Sequence, residues 1–225
     1  MAFDAPEYFN RYAYYKVGKE RSLVIWKDDF EATKLKWQKG LFGSLERCLT
    51  EAKVGEASML LTSPADSTKD VSATVRIGAP VPGLTGFDFF FNLAHTNEVI
   101  FTIEFYLWYY TGMQQTDIRY LSASDKWQYW DDVTSAWVDI PNSSQKLAAT
   151  EVIWNRARLL VDFVNAKYVM FECGTLRLAL DTYPLPTVAA SYRDYLSLAF
   201  ILAPTTNTAE KVYIDDVIVF GQEGL

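Results

Sequence analysis

The chain has 225 residues, of which half are hydrophobic, 16% aromatic and 22% charged. It is too apolar for a disordered chain and long enough to bury one full core. A net charge of −7, with no Lys/Arg cluster beyond Lys19–Arg21 and Arg156–Arg158, argues against nucleic acid as a partner. The longest apolar run, "VIFTIEFYLWYY", is broken by Glu104 and is too short to cross a bilayer.

The stretch "MAFDAPEYFNRYAYYKVGKERS" lacks a basic start, an apolar segment and a small-residue cleavage site, so no signal peptide is expected. On that reading the protein is made in the cytoplasm, with an extracellular location only if a leader has been removed. Residues 1–20 carry Phe3, Tyr8, Phe9, Tyr12, Tyr14 and Tyr15 without clean alternation. They read as an aromatic arm ahead of a single β-domain at 21–225. The arm either folds back on its own domain or docks on a neighbouring subunit.

From residue 21 the dominant period is two. "RSLVIWK", "ASMLLT", "SATVRI" and "FDFFFNL" alternate, with turn-formers such as "TSPADSTKD" and "GAPVPGLTG" between the runs. "LFGSLERCLTEA" is ambiguous between helix and strand. In "EVIFTIEFYLWYY", Val99, Phe101, Ile103, Phe105, Leu107 and Tyr109 make one apolar face, and Glu98, Glu104, Tyr106, Trp108 and Tyr110 belong to the mixed one.

Residues 116–140 read as a three-strand meander, "TDIRYLS", "KWQYWD" and "AWVDI", joined by "ASD" and "DVTS". Its aromatics Trp127, Tyr129, Trp130 and Trp137 are either hairpin packing or a stacking platform for sugar. "SSQKLAATEVI" has room for a turn or two of helix. The rest, "RARLLVDFV", "KYVMFEC", "TLRLALD", "SLAFILA" and "VYIDDVIVF", alternates again. About a dozen short strands with almost no helix predict an all-β, two-sheet antiparallel sandwich.

Several segments together resemble the concanavalin A-like jelly-roll superfamily, which includes laminin-G-like and many carbohydrate-binding modules. "LVIWKDDFEATKLKWQ" resembles its opening strand and "KVYIDDVIVF" its closing one. "SMLLTS", "VSATVRIGAP" and "FDFFFNL" resemble its early strands. "WNRARLLVDFVNAKYVMFECG" resembles a later strand pair turning at Asn165–Ala166. The resemblance spans residues 22–220 and implies the fold more than the function, since this sandwich serves lectins, hydrolases, adhesins and virion proteins alike. It also implies a possible structural calcium joining the first and last strands, with Asp29, Glu31 and Asp215 as the matching positions. The competing reading is a charged edge that discourages aggregation. No cofactor is otherwise required.

Glycosidases on this sandwich usually carry two carboxylates on one strand, and an ExDxxE or ExDxE pattern is absent. Glu98 and Glu104 share a face, but six residues at about 3.3 Å each put them ~20 Å apart, too far for either hydrolytic mechanism. The single histidine, His95, excludes a multi-histidine metal site and reads as a turn residue. Cys48 and Cys173 are the only cysteines; Cys173, placed with Val169 and Phe171 by spacing, reads as a buried free thiol, with one disulfide as the alternative.

No enzyme is therefore expected. The leading expectation is a structural component such as a virion surface or capsid-decoration protein, joined through its arm into a homo-oligomer or larger assembly. The alternative is a carbohydrate-binding module using the 127–137 aromatics or the face around Tyr106, Trp108 and Tyr110, with a glycan as partner. A glycoside hydrolase comes last.

Overall fold

Period-two alternation is realised directly in the strands that carry the core. Strand β8 (Val99–Tyr109) buries Val99, Phe101, Ile103, Phe105 and Leu107 on one side and leaves Ile100, Thr102, Glu104, Tyr106 and Trp108 half-buried on the other. The computed structural model describes residues 14–17, 20–78, 83–109, 112–147, 149, 153–189 and 195–222. These residues form seventeen strands, numbered β1 to β17 in chain order, and no helix.

The strands form two antiparallel sheets. The nine-stranded sheet runs β1 (Tyr14–Val17), β2 (Glu20–Asp28), β17 (Lys211–Gln222), β7 (Leu84–Ala94), β12 (Asn155–Asp162), β13 (Lys167–Cys173) and β14 (Leu176–Ala179). In the same sheet β4 (Ser44–Cys48) pairs β5 (Ser58–Thr62), and β5 pairs β17. The eight-stranded sheet runs β11 (Ala136–Asp139), β10 (Lys126–Asp131), β9 (Gly112–Leu121), β8, β16 (Tyr195–Pro204), β6 (Val71–Gly78) and β3 (Gln38–Lys39), with β15 (Thr187–Ala189) on β9.

Phenylalanines from the two inner faces meet between the sheets. Phe89 lies 4.7 Å from Phe200, Phe87 5.5 Å from Phe105 and Trp127 4.6 Å from Phe171, centroid to centroid. Each such pair adds about 0.5–1.5 kcal/mol beyond the area it buries. The sandwich expected from the alternation is what forms. The strand number exceeds the expected dozen because β1 lies in the expected arm, β4 (Ser44–Cys48) in the ambiguous segment, and β3 and β15 are pieces of two and three residues, too short to show a period.

The ambiguous 41–52 segment contains a strand, β4, and the described part of "SSQKLAATEVI" is irregular. The arm expected at 1–20 is partly sheet: Tyr14–Val17 pair with Glu20–Leu23. Phe3, Tyr8, Phe9 and Tyr12 lie outside the described residues. Cys173 is free and fully buried in the main core beside Phe171. Val169, however, packs outward against Leu160, Ile218 and Phe220, because a bulge in the β12–β13 ladder inserts one residue before Met170.

The last strand changes partner midway. Lys211–Ile214 pair with β5, and Val217–Gln222 pair with β2. The break falls at Asp215–Asp216, where Asp216 adopts φ 48°, a conformation aspartate tolerates better than most residues. Asp215 is fully buried there.

Candidate functional site on the outer face of the eight-stranded sheet

The outer face of the eight-stranded sheet is a polar and aromatic surface laid down by strand register. Tyr195 of β16 pairs with Trp108 of β8, which pairs with Met113 of β9. The next outward row is Ser197–Tyr106–Gln115, and the row after it Ala199–Glu104–Asp117. A fourth row runs Thr102–Arg119–Gln128–Asp139 into β10 and β11.

The third row places two carboxyl groups side by side at the middle of the sheet. Asp117 is only 6% exposed. Burial pushes its pKa up to about 6, against hydrogen bonds from Gln115 and Tyr106. Gln115 Nε2 donates to Asp117 Oδ2, while Oδ1 is sealed from solvent and makes no well-formed hydrogen bond. Burial, and then the charge of Asp117, push Glu104 up to about 7, with Tyr106 acting in the other direction and distant Asp70 adding a little. Tyr106 faces both carboxyl groups; burial and their charges hold its phenol protonated well above the usual range, so it stays a donor.

Rings flank this pair on two sides. Trp108 and Tyr195 stack at 5.6 Å with planes 22° apart, and Trp130 and Trp137 meet edge to face at 5.6 Å. The Arg76 guanidinium lies 5.3 Å from the Tyr195 ring and that of Arg119 4.2 Å from the Trp137 ring. Arg119 Nε donates to Gln128 Oε1 at 2.8 Å, and Gln128 Nε2 to Asp139 Oδ1 at 2.7 Å. Lys126 is ion-paired with Asp139 at 2.5 Å.

The four aromatics read from the meander divide between the two sides of the sheet. Trp127 and Tyr129 face inward, 0% and 7% exposed, against Phe171 and against Tyr168 and Tyr183. They are core residues and present no ring to a ligand. Trp130 and Trp137 are half-buried on the outer face, together with Tyr106 and Trp108; Tyr110 lies outside the described residues. Glu98 precedes β8 in an exposed turn. The carboxylate opposite Glu104 is Asp117, which a search along one strand misses because the pair forms across two. His95 sits in the turn before β8, its Nδ1 2.6 Å from the Asn97 carbonyl.

The three positions read as calcium ligands do not form a cage. Lys53 and Val54 each donate a backbone N–H to Asp215 Oδ2 at 2.8 Å. Glu31 Oε1 accepts the N–H groups of Glu56 and Ala57, and Asp29 Oδ1 that of Glu31. Among the described residues no group of three His, Cys, Asp or Glu side chains could hold a metal. Carboxylates facing N–H donors do not suit a cation; they fit a clamp on the 51–57 loop. Gly55, at φ 72°, sits where a Cβ would strike Glu31.

No protein-family model matches the chain, and no curated protein matches it. Solved structures do match over most of its length. An endo-β-1,4-glucuronan lyase from the fungus Trichoderma reesei aligns at 12% identity and TM-score 0.57, covering 89% of this chain and 96% of that one. A non-specific endo-β-1,3(4)-glucanase from family GH16, SCLam, aligns at 11% and 0.54, covering 94% and 95%. A carbohydrate esterase from the Shiga toxin-encoding bacteriophage phi24B aligns at 10% and 0.53, covering 90% and 100%.

The fold is the concanavalin A-like jelly roll. At these identities the likeness carries the fold alone. The expectation of a virion surface or capsid-decoration component does not stand. The neighbours of this jelly roll are mostly named for action on carbohydrate. Of the aromatics counted toward assembly, Tyr14 and Tyr15 belong to β1, and Phe3, Tyr8, Phe9 and Tyr12 lie outside the described residues. The alternative, carbohydrate, is the better supported reading.

Proposed function

We propose that the protein binds a glycan across the outer face of the eight-stranded sheet. The observation that supports this most is the placement of Trp108–Tyr195 and Trp130–Trp137 on either side of a hydrogen-bonding floor. From β16 to β11 is four strand steps, about 19 Å at ~4.8 Å per step, long enough for several pyranose rings. Sugars need both components of such a face: apolar ring faces stack on aromatics, and hydroxyls bond to amides, carboxyls and guanidinium groups. Gln115, Gln128, Arg119 and Glu104 supply those groups.

Affinity electrophoresis of the full chain through neutral polysaccharides (mixed-linkage β-glucan, xylan, mannan) tests this. Retardation by at least one polysaccharide, weakened by Trp137→Ala and by Trp108→Ala, is the expected result. Unretarded migration in all of them, with the fold intact, would overturn the reading.

A further inference from the structure

We propose that three arginines on the outer face of the nine-stranded sheet form a binding site for a small monoanionic carboxylate, no larger than a single sugar acid. The site lies on the opposite layer from the glycan face and does not rest on that reading.

Strand register builds it. Ala157 and Leu159 of β12 point into the core, so Arg156 and Arg158 point outward. Arg158 stands opposite Asp88 of β7 on one side and Glu172 of β13 on the other, and Glu172 stands opposite Arg177 of β14. That row alternates in sign and balances itself. Arg156 comes from the next row, opposite Phe90, and adds a third guanidinium.

Arg156, Arg158, Arg177 and Glu172 line a cavity of about 280 Å³, together with Thr175 of the turn between β13 and β14. Arg158 is the floor. It is 7% exposed, and its guanidinium lies 4.9 Å from the Phe220 ring, a contact that holds its plane. Arg156 and Arg177 are exposed and make the walls. Each is oriented by a carboxylate. Arg156 donates from Nε to Asp88 Oδ1 at 2.7 Å and from Nη2 to Oδ2, and Arg177 Nε lies 3.2 Å from Glu172 Oε1. The Arg158–Glu172 pair is longer, at 3.9 Å.

The charges set the ligand class. Among the described residues at the site, three guanidinium groups stand against two carboxylates, Asp88 and Glu172, in a chain of net charge −7. One negative charge balances them. Guanidinium groups present paired N–H donors that match the two oxygens of a carboxylate. A phosphate dianion would bring one charge too many past Glu172, which stands in the wall. Burial of Arg158 adds to the attraction, since a charge held away from water is weakly screened. The cavity is smaller than those that hold drug-sized molecules, which limits the ligand to about one ring. The Thr175 hydroxyl can both donate and accept, so a hydroxylated acid of the sugar-acid kind fits best.

The test titrates galacturonate, as the monosaccharide, into the full chain at neutral pH and low salt. Binding is read from the arginine Nε–H signals in proton–nitrogen NMR spectra, with glucose and inorganic phosphate titrated in parallel. Saturable shifts of the Arg158 and Arg177 signals by galacturonate, absent with glucose, are expected. Arg177→Gln, at an exposed position that spares the fold, should weaken binding about tenfold, the loss of one charge-assisted hydrogen bond. Glu172→Gln should tighten it about threefold or more by removing the like charge. Trp137→Ala, on the other layer, should leave it unchanged. Absence of a saturable shift at up to about 50 mM, where a millimolar site is filled, overturns the site and leaves an ion-paired sheet surface. Tighter binding of phosphate than of galacturonate overturns the monoanion class. Loss of binding in Trp137→Ala would move the ligand to the glycan face and overturn the site equally.

Discussion

Glu104 of β8 stands directly opposite Asp117 of β9, whose charge makes the ionisation of Glu104 more costly. Both pKa values are raised, to about 7 and about 6, so the folded state binds these protons more tightly than the unfolded one. Their stabilising share is complete below the ordinary carboxylate range, at about pH 4, and drains away as pH rises to 6–7. Asp117→Asn should therefore be more stable than the parent at pH 8, by up to about 3 kcal/mol. The difference should close below about pH 4. Urea unfolding at the two pH values measures this, and an equal displacement at both would contradict it.

Trp127 and Trp130 sit three positions apart on β10 and should answer mutation in opposite ways. Trp127→Ala empties a fully buried site and is expected to cost about 3–5 kcal/mol. Trp130→Ala loses one edge-to-face partner and should cost under about 1 kcal/mol. Glycan affinity reverses the order: about tenfold weaker for Trp130→Ala, and unchanged for whatever fraction of Trp127→Ala remains folded. Paired melting and titration measurements separate them.

The 51–57 loop hangs on two carboxylates, Glu31 and Asp215. Asp215→Ala leaves the Lys53 and Val54 N–H groups without their acceptor and should cost about 2–4 kcal/mol. Chelation by EDTA should leave the melting temperature unchanged, because backbone N–H groups already bond to these oxygens. A drop on chelation would restore calcium to the site.

The two thiols should differ in reactivity. Cys173 is fully buried and burial pushes it up to about 12, whereas Cys48 is half-exposed beside Thr50. Native alkylation should add one label, at Cys48, and denaturant a second, read by mass spectrometry.

Alternation carried most of the fold in the chain itself. The long β8 strand and the three-strand meander appear where the period and turn residues put them. The site was only half legible, because a period shows which residues share a face of one strand and says nothing of neighbours across a ladder. Tyr109 pairs with Gly112, and that two-residue connection fixes every later pair, Glu104 with Asp117 included. Reading the runs on either side of "YT" as paired strands would have exposed the Glu104–Asp117 pair. The division of Trp127 from Trp130 was legible from parity, but which side faces the core depends on the second sheet. The buried partners of Trp127, such as Phe171, come from residues far along the chain.

The central position of β17 has a consequence for biosynthesis. Its two halves are the only bridge from β5 and β2 to β7 within the described ladder, so the nine-stranded layer has no middle until residues 211–222 have emerged. During translation at about 5–20 residues per second, the strands made earlier must wait for residues 211–222 before the two layers can lock. Premature stop codons anywhere upstream of that segment should yield aggregation-prone fragments, never a smaller working protein.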